Sequence, residues 1–181
     1  MQERARTGFE NHKVLGLIKL ADYECQWMPL ISFLQLKPTD FVWKHNVDYK
    51  KPGMRETDER GGHPYHLPIG WYRHALKVDK KYLGDSIWLG SENISGEWPV
   101  AFHGTHANAV KSIAQQGLLT STAVRDVMVS EAVRQKGEAM NRPGLYLATH
   151  CDGGAHPAYT STFTVKGSLE NTETFRVVFQ C

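Results

Sequence analysis

The segment Gly96-Glu97-Trp98-Pro99-Val100-Ala101-Phe102-His103-Gly104-Thr105 carries the clearest structural signal in this chain. Its apolar run over residues 100–102 predicts a short buried strand, and Gly104 permits a close approach to the backbone that any side chain would block. Main-chain groups at Gly104 can pair with a carboxamide, and His103 can bond to a sugar hydroxyl. The alternative is that His103 closes the strand and bonds only to nearby backbone.

The residues after this segment predict an amphipathic helix from about residue 107 to residue 116. Thr105 is suited to cap that helix, and Gly117 is suited to end it. The apolar positions with helical spacing are Ala109, Val110, Ile113 and Ala114. The whole unit is therefore predicted as a strand, a tight turn, one helix and a glycine stop.

Further elements are predicted on the C-terminal side of this unit. Residues 123–140 have a ragged apolar face that is typical of a helix, and the sequence Asn-Arg-Pro-Gly at residues 141–144 ends it. Residues 145–148 predict a short strand, and Pro157 is suited to the first turn of another helix. The β-branched and aromatic content of residues 174–179 predicts a final strand.

The N-terminal side divides at a polar stretch. Residues 71–78 alternate bulky and polar side chains, which predicts a strand. Residues 50–62 include a Pro-Gly pair and a Gly-Gly pair, which are typical of a loop or linker, so we place a boundary near them. Residues 1–64 are predicted to be an N-terminal extension of unknown role, and residues 65–181 are predicted to form one domain.

Composition and charge limit the classes of protein to which this chain can belong. It has 181 residues, of which 41% are hydrophobic, and Lys plus Arg exceed Asp plus Glu by only 21 to 19. This balance does not indicate nonspecific binding to nucleic acid or to anionic lipid. The three cysteines, Cys25, Cys151 and Cys181, form no Cys-x-x-Cys pair, which is typical of a reducing compartment. With no secretory leader and no apolar run of about 20 residues, we expect an intracellular protein, cytoplasmic or nuclear, without a membrane partner.

The order of these motifs resembles a known family. A strand, His-Gly-Thr, a helix, Gly-Leu-Leu, a variable segment, Pro-Gly-Leu-Tyr-Leu-Ala and a later Tyr are similar to the catalytic domain of the poly(ADP-ribose) polymerase and diphtheria-toxin-like ADP-ribosyltransferases. The resemblance covers about residues 65–180 and extends to a eukaryotic group of transferase-like domains. In that group Trp71 and Trp98 would be packing residues. It implies an α+β fold with two small, mainly antiparallel sheets forming a split core and with few helices.

The same resemblance implies a reaction and a set of contacts. NAD would be the substrate, nicotinamide would be released, and ADP-ribose would pass to a protein or nucleic-acid acceptor. His103 would bind the ribose, Gly104 would pair with the nicotinamide amide, and Tyr146 and Tyr159 would enclose the ring by stacking and cation–π attraction. The complete predicted NAD-binding set is His103, Gly104, Thr105, Tyr146, His156 and Tyr159.

Two departures from the family pattern bear on catalysis. Active members carry a glutamate on a late strand, where it stabilises the charge that forms as nicotinamide leaves. Glu170 and Glu173 lie in a stretch that predicts a hairpin connection, so neither is assigned that role. His156 stands where other members offer a small hydroxyl residue. Either the late motif follows Cys181, or other groups replace it, or the domain is a non-catalytic module that binds NAD or another ligand.

The residues of this chain favour three other chemistries less. The NAD-dependent RNA 2′-phosphotransferases use a related fold and also begin with His-Gly-Thr, but they need basic residues for an RNA phosphate, which the near-neutral charge favours only weakly. No metal is expected, because the spacing of the candidate zinc ligands matches no familiar finger. Those candidates are His103, His106, His150, Cys151 and His156. No second feature marks Cys151 as an activated thiolate.

Overall fold

The structure is a computed structural model that describes residues 27–78, 84–119, 145–167 and 172–181. Within these ranges the chain is mixed α/β with few helices and small antiparallel sheets, which confirms the coarse prediction. In the same ranges, no helix is long and apolar enough to cross a membrane. The helix predicted over residues 123–140 lies outside the described residues.

The strands are short and pair two by two. They are β1 (Val47–Asp48), β2 (Thr57–Arg60), β3 (His63–His66), β4 (Tyr72–Arg73), β5 (Phe102–Thr105), β6 (Phe163–Lys166), β7 (Thr172–Phe175) and β8 (Val177–Gln180). The antiparallel pairs are β1–β4, β2–β3, β5–β8 and β6–β7, so the described part of the chain has four two-stranded sheets where the resemblance implied two. Its helices are α1 (residues 27–33), α2 (Val110–Gln116) and α3 (Cys151–Gly154).

The hairpin β2–β3 crosses the position at which we ended the predicted N-terminal extension. Glu59 lies opposite Pro64, and the connecting residues Gly61 and Gly62 have φ angles of 57° and 76°. Two consecutive positive φ angles are what a tight two-residue hairpin turn requires, and glycine adopts them without strain. The polar stretch of residues 50–62 is therefore part loop and part strand, and residues on both sides of position 64 pair with each other.

The core lies between this hairpin and β5. Phe102 is only 2% exposed and clusters with Tyr65, Val100 and Cys151. Trp71 packs against that cluster, which confirms its predicted packing role.

Trp98 packs at the surface instead of against the core. It is 63% exposed, and its ring lies 5.3 Å from that of Trp88. The buried residue of this segment is the neighbouring Glu97, whose carboxylate accepts hydrogen bonds from the backbone N–H groups of Glu92 and Asn93 at 2.7 and 3.0 Å. The segment is therefore anchored by a satisfied buried carboxylate.

Helix α2 matches the prediction for residues 107–116, with a 3₁₀ turn over Ala107–Ala109 before it. Gly117 ends it with a φ angle of 83°. Thr105 does not cap the helix, because the 3₁₀ turn separates them and Thr105 itself ends β5, where it is 6% exposed. The helix start predicted at Pro157 is also wrong, since α3 ends before Pro157 and a turn follows.

The strand predicted over residues 174–179 is two strands in two sheets. Phe175 ends β7, which pairs with β6, and Val177 begins β8, which pairs with β5. The residue between them, Arg176, donates a hydrogen bond from Nη1 to the carbonyl oxygen of Ala155 at 3.1 Å. That contact holds the chain at the point where it changes sheets. The strand predicted over residues 145–148 is reduced to one bridge at Ala148.

Candidate functional site

Strand β5 has a different neighbour on each edge. On one edge, Ala101 and Cys181 exchange two main-chain hydrogen bonds of 3.0 and 2.8 Å in line with β8. On the other edge, Phe102 and Ala148 exchange two of 2.8 and 2.9 Å. Because antiparallel partners alternate between bonded and non-bonded pairs, the pair of Gly104 with Val178 is a non-bonded one.

The main-chain N–H and C=O of Gly104 are therefore directed away from β8, towards the segment that contains Tyr146. The pairing of Phe102 with Ala148 is an isolated bridge, so within the described residues this ladder does not continue to Gly104. Gly104 thus presents one donor and one acceptor just beyond the isolated bridge between Phe102 and Ala148. A strand edge of this kind is suited to a ligand that carries both a donor and an acceptor.

The side chain of His103 contacts the same segment. Its Nδ1 lies 3.0 Å from the carbonyl oxygen of Tyr146. A carbonyl oxygen can only accept, so Nδ1 carries the proton and Nε2 of the neutral ring is an acceptor. Bonding to nearby backbone, the alternative considered for His103, therefore accounts for Nδ1 and leaves Nε2 in the acceptor form.

Other residues of the protein occupy the space that a side chain at position 104 would fill. A Cβ atom there would overlap the carbonyl oxygen of Gly154 and would lie 2.9 Å from Thr160 Cγ2 and 3.0 Å from Tyr159 Cβ. The close approach that we expected for a ligand is thus made, on this face, by α3 and the turn after it. A ligand would meet Gly104 through its main-chain edge instead.

The turn of residues 155–160, which we call the site turn, carries two of the predicted residues. The carbonyl oxygen of His156 accepts the N–H groups of Tyr159 and Thr160 at 2.8 and 3.2 Å. The Nδ1 of His156 accepts the N–H of Ala158 at 3.2 Å, so the proton of the neutral ring is on Nε2. The rings of His156 and Tyr159 lie 6.1 Å apart. His156 is exposed and offers a donor, whereas His103 offers an acceptor.

The contacts connect the predicted residues around β5. Tyr146 bonds to His103, and Tyr159 packs beside Gly104 and close to His156. Thr105 lies at the end of the same strand but is buried. The predicted residues therefore lie on β5 or beside it in two groups, His103 with Tyr146 and Gly104 with Tyr159 and His156, and Thr105 is buried at the end of the strand.

Sequence reasoning did not identify Arg176 as part of this region. Its contact with Ala155 ties the site turn to the junction of β7 and β8. The sequence feature that could identify Arg176 is its charge inside the otherwise apolar run of residues 175–179.

The described residues do not supply the late glutamate of the family. Glu173 is exposed on β7 opposite Val165, and β7 belongs to a different sheet from β5 and β8. The residues of β8, Val177–Gln180, include no carboxylate. Glu170 lies outside the described residues.

The alternative chemistries find little support in the geometry. Over the described ranges, no group of three or more His, Cys, Asp or Glu side chains is arranged to hold a metal ion. His106 bonds instead to Ser161 Oγ at 2.9 Å, and His150 stacks on His66 at 3.7 Å. Burial of Cys151, reinforced by the charge of Asp152, raises the pKa of its thiol to about 12, which opposes a nucleophilic role at neutral pH.

A cavity of about 490 Å³ lies at the hairpin β2–β3, and none of the predicted residues lines it. It is lined by Arg55, Thr57, Asp58, Glu59, Pro64 and Asn93. Its charged groups are engaged with their neighbours, since Arg55 pairs with Asp58 at 3.2 Å and Asn93 donates to Glu59 at 2.9 Å. We assign no chemistry to it.

Comparisons with known proteins do not identify a family. No protein-family model, no curated protein and no solved structure matches this chain. The resemblance to the ADP-ribosyltransferases therefore depends on the motifs and contacts given above.

Proposed function

We propose that this chain has an ADP-ribosyltransferase-like core, binds NAD at the edge of β5 beside Gly104, and transfers ADP-ribose to a protein or nucleic-acid acceptor as nicotinamide is released. The observation that carries the proposal is the pairing register of β5. It directs the main-chain donor and acceptor of Gly104 towards the segment of Tyr146, where the ladder stops.

The nicotinamide carboxamide is complementary to this edge. A primary amide accepts through its oxygen and donates through its nitrogen, so it can pair with the N–H and the C=O of one residue in an extended strand. Gly104 would make this pair. His156, with its proton on Nε2, would supply a further donor to the amide oxygen.

A ribose of NAD would bind to His103. Since Nδ1 donates to Tyr146, Nε2 is an acceptor for a ribose hydroxyl. The bond to Tyr146 also holds the imidazole in one orientation, so little side-chain entropy would be lost when the sugar binds.

The tyrosines would act on the charge of the nicotinamide ring. The pyridinium of NAD is cationic, and the faces of Tyr146 and Tyr159 would attract it. As the glycosidic bond breaks, the positive charge moves from the ring to the anomeric carbon, and the electron pair of the bond leaves with nicotinamide. The fold would thus contribute mainly by positioning the ring and the ribose for a nucleophile of the acceptor.

Nicotinamide release from labelled NAD tests this function. We expect the purified protein to release nicotinamide or to label an acceptor, and we expect Tyr146→Ala to abolish both activities. Tyr146→Phe is the matched control, because it keeps the aromatic face and should keep most of the activity. Undiminished release by Tyr146→Ala would remove the assignment.

A second candidate function is NAD binding without turnover. It is favoured by the absence of a carboxylate from β8 and by the position of Glu173 in another sheet. Saturable NAD binding in calorimetry, with neither nicotinamide release nor acceptor labelling, would select this function. A 2′-phosphorylated oligonucleotide assayed with NAD separates the RNA 2′-phosphotransferase alternative from both.

A further inference from the structure

The site turn is held from two sides at one atom. The carbonyl oxygen of Ala155 accepts a hydrogen bond from Thr160 Oγ1 at 2.9 Å and one from Arg176 Nη1 at 3.1 Å. Ala155 is 4% exposed and Thr160 is 2% exposed, so this carbonyl lies in the interior. A charged donor makes a stronger hydrogen bond than a neutral one, and more so where water is excluded.

The two donors to Ala155 come from different parts of the fold. Thr160 belongs to the site turn itself, and its Cγ2 is one of the atoms that pack against Gly104. Arg176 immediately precedes Val177, which lies opposite Thr105 in the β5–β8 pair. Arg176 therefore links the turn that carries His156 and Tyr159 to the sheet that carries Gly104.

We propose that Arg176 is a positioning residue for the nicotinamide half of the NAD site, an inference that rests on the proposed function. It would act through the site turn, because its Nη1 donates to the carbonyl oxygen of Ala155 and its Nε is buried. It would hold the site turn at the distance from β5 that allows Tyr159 and the main-chain edge of Gly104 to contact the same nicotinamide group. A planar guanidinium held at a strand end fixes such a distance better than a flexible ammonium.

A comparison of NAD with ADP-ribose distinguishes this positioning role from a general effect on folding. NAD carries nicotinamide, whereas ADP-ribose lacks it and retains the ribose that His103 would bind. We expect Arg176→Met to weaken NAD binding about tenfold or more, the effect of losing one charged hydrogen bond, and to change ADP-ribose binding by less than about threefold. The matched control is Arg55→Met, because Arg55 is exposed and pairs with Asp58 at the hairpin β2–β3.

Calorimetric titration of the full chain with NAD and with ADP-ribose gives the result. Equal losses for the two ligands, or unchanged NAD affinity in Arg176→Met, overturn the positioning role while the proposed function stands. A folded wild-type chain that binds neither ligand overturns the proposed function and this inference with it. If Arg176→Met does not fold, Arg176→Lys is titrated instead. We expect a several-fold loss for NAD alone, and wild-type NAD affinity in that variant also overturns the inference.

Discussion

The imidazole Nδ1 of His103 donates a hydrogen bond to the main-chain carbonyl oxygen of Tyr146, with 3.0 Å between the two atoms. The bond replaces a ladder contact at the place where the pairing of Phe102 with Ala148 ends. It links two motifs that are 43 residues apart in the chain. It also sets the tautomer of His103, and the proposed contact with ribose depends on that tautomer.

The tautomer of His103 is directly measurable. We expect ¹⁵N NMR of the histidine side chains to show His103, in its neutral form, protonated on Nδ1. His103→Ala should lower the free energy of unfolding by about 1 kcal/mol, because it removes one partly buried hydrogen bond. A neutral His103 protonated on Nε2 would contradict the geometry described here.

Gly104→Ala should disrupt the contact between β5 and α3. The new Cβ would overlap the carbonyl oxygen of Gly154, and such overpacking costs about 1–3 kcal/mol or more of unfolding free energy. NAD binding should be lost as the site turn shifts. The control is Gly53→Ala, where φ is 78° and the added Cβ atom would lie within 4 Å of no atom outside its chain neighbours, so only backbone strain of about 1–2 kcal/mol is expected. Chemical denaturation and NAD titration of both variants check this, and wild-type NAD affinity in Gly104→Ala would count against it.

His74 predicts a loss of stability in acid. Its ring is surrounded by those of Trp27, Tyr72, Phe41 and Trp43 at 4.6, 4.8, 5.9 and 6.1 Å, and both ring nitrogens are buried without a hydrogen-bond partner in the described part of the chain. Burial lowers the pKa of His74 from 6.5 to about 4. The folded state therefore favours the neutral ring.

The sign of the pH dependence follows from the two pKa values. Above pH 6.5 neither the folded nor the unfolded state binds a proton at His74, so protonation of this residue does not lower the free energy of unfolding. Between pH 6.5 and about 4, the unfolded chain binds a proton that the folded chain does not, and the free energy of unfolding falls. His74→Phe should remove this part of the pH dependence. Identical pH profiles of denaturation in the two proteins would contradict it.

Cys151 should be inert in the folded protein. With its pKa raised to about 12 by burial and by Asp152, the thiol is protonated at neutral pH and also inaccessible. Between the two cysteines of the described residues, iodoacetamide should therefore modify the exposed Cys181 before Cys151, which should react only after denaturation. Peptide mass spectrometry checks the order, and rapid labelling of Cys151 in the folded chain would reopen its role as a nucleophile.

Local sequence signals predict the parts of the fold that depend on neighbouring residues. The apolar run before His103 indicates β5, and the spacing of Val110 and Ile113 with the stop at Gly117 indicates α2. Local signals do not predict α3, because Gly153 and Gly154 each disfavour a helix by about 1 kcal/mol relative to Ala. The tight packing of Gly154 on Phe102 and Gly104 favours glycine there, and that contact joins distant parts of the chain.

The sequence likewise predicts some features of the candidate site and not others. Its motif residues are found from their order along the chain, since that order carries the family resemblance. The direction of the Gly104 main-chain groups depends on the register with Val178, and the site turn depends on Arg176. The first is a strand pairing between segments more than 70 residues apart, and the second is a side-chain contact between residues 21 apart; one sequence specifies neither.

Calorimetric titration of the wild-type chain and of His103→Ala with NAD tests the central proposal most directly. We expect the wild-type chain to bind one NAD and His103→Ala to bind it at least about tenfold more weakly while remaining folded. A folded wild-type chain that does not bind NAD, or equal NAD affinity in the two proteins, would contradict it.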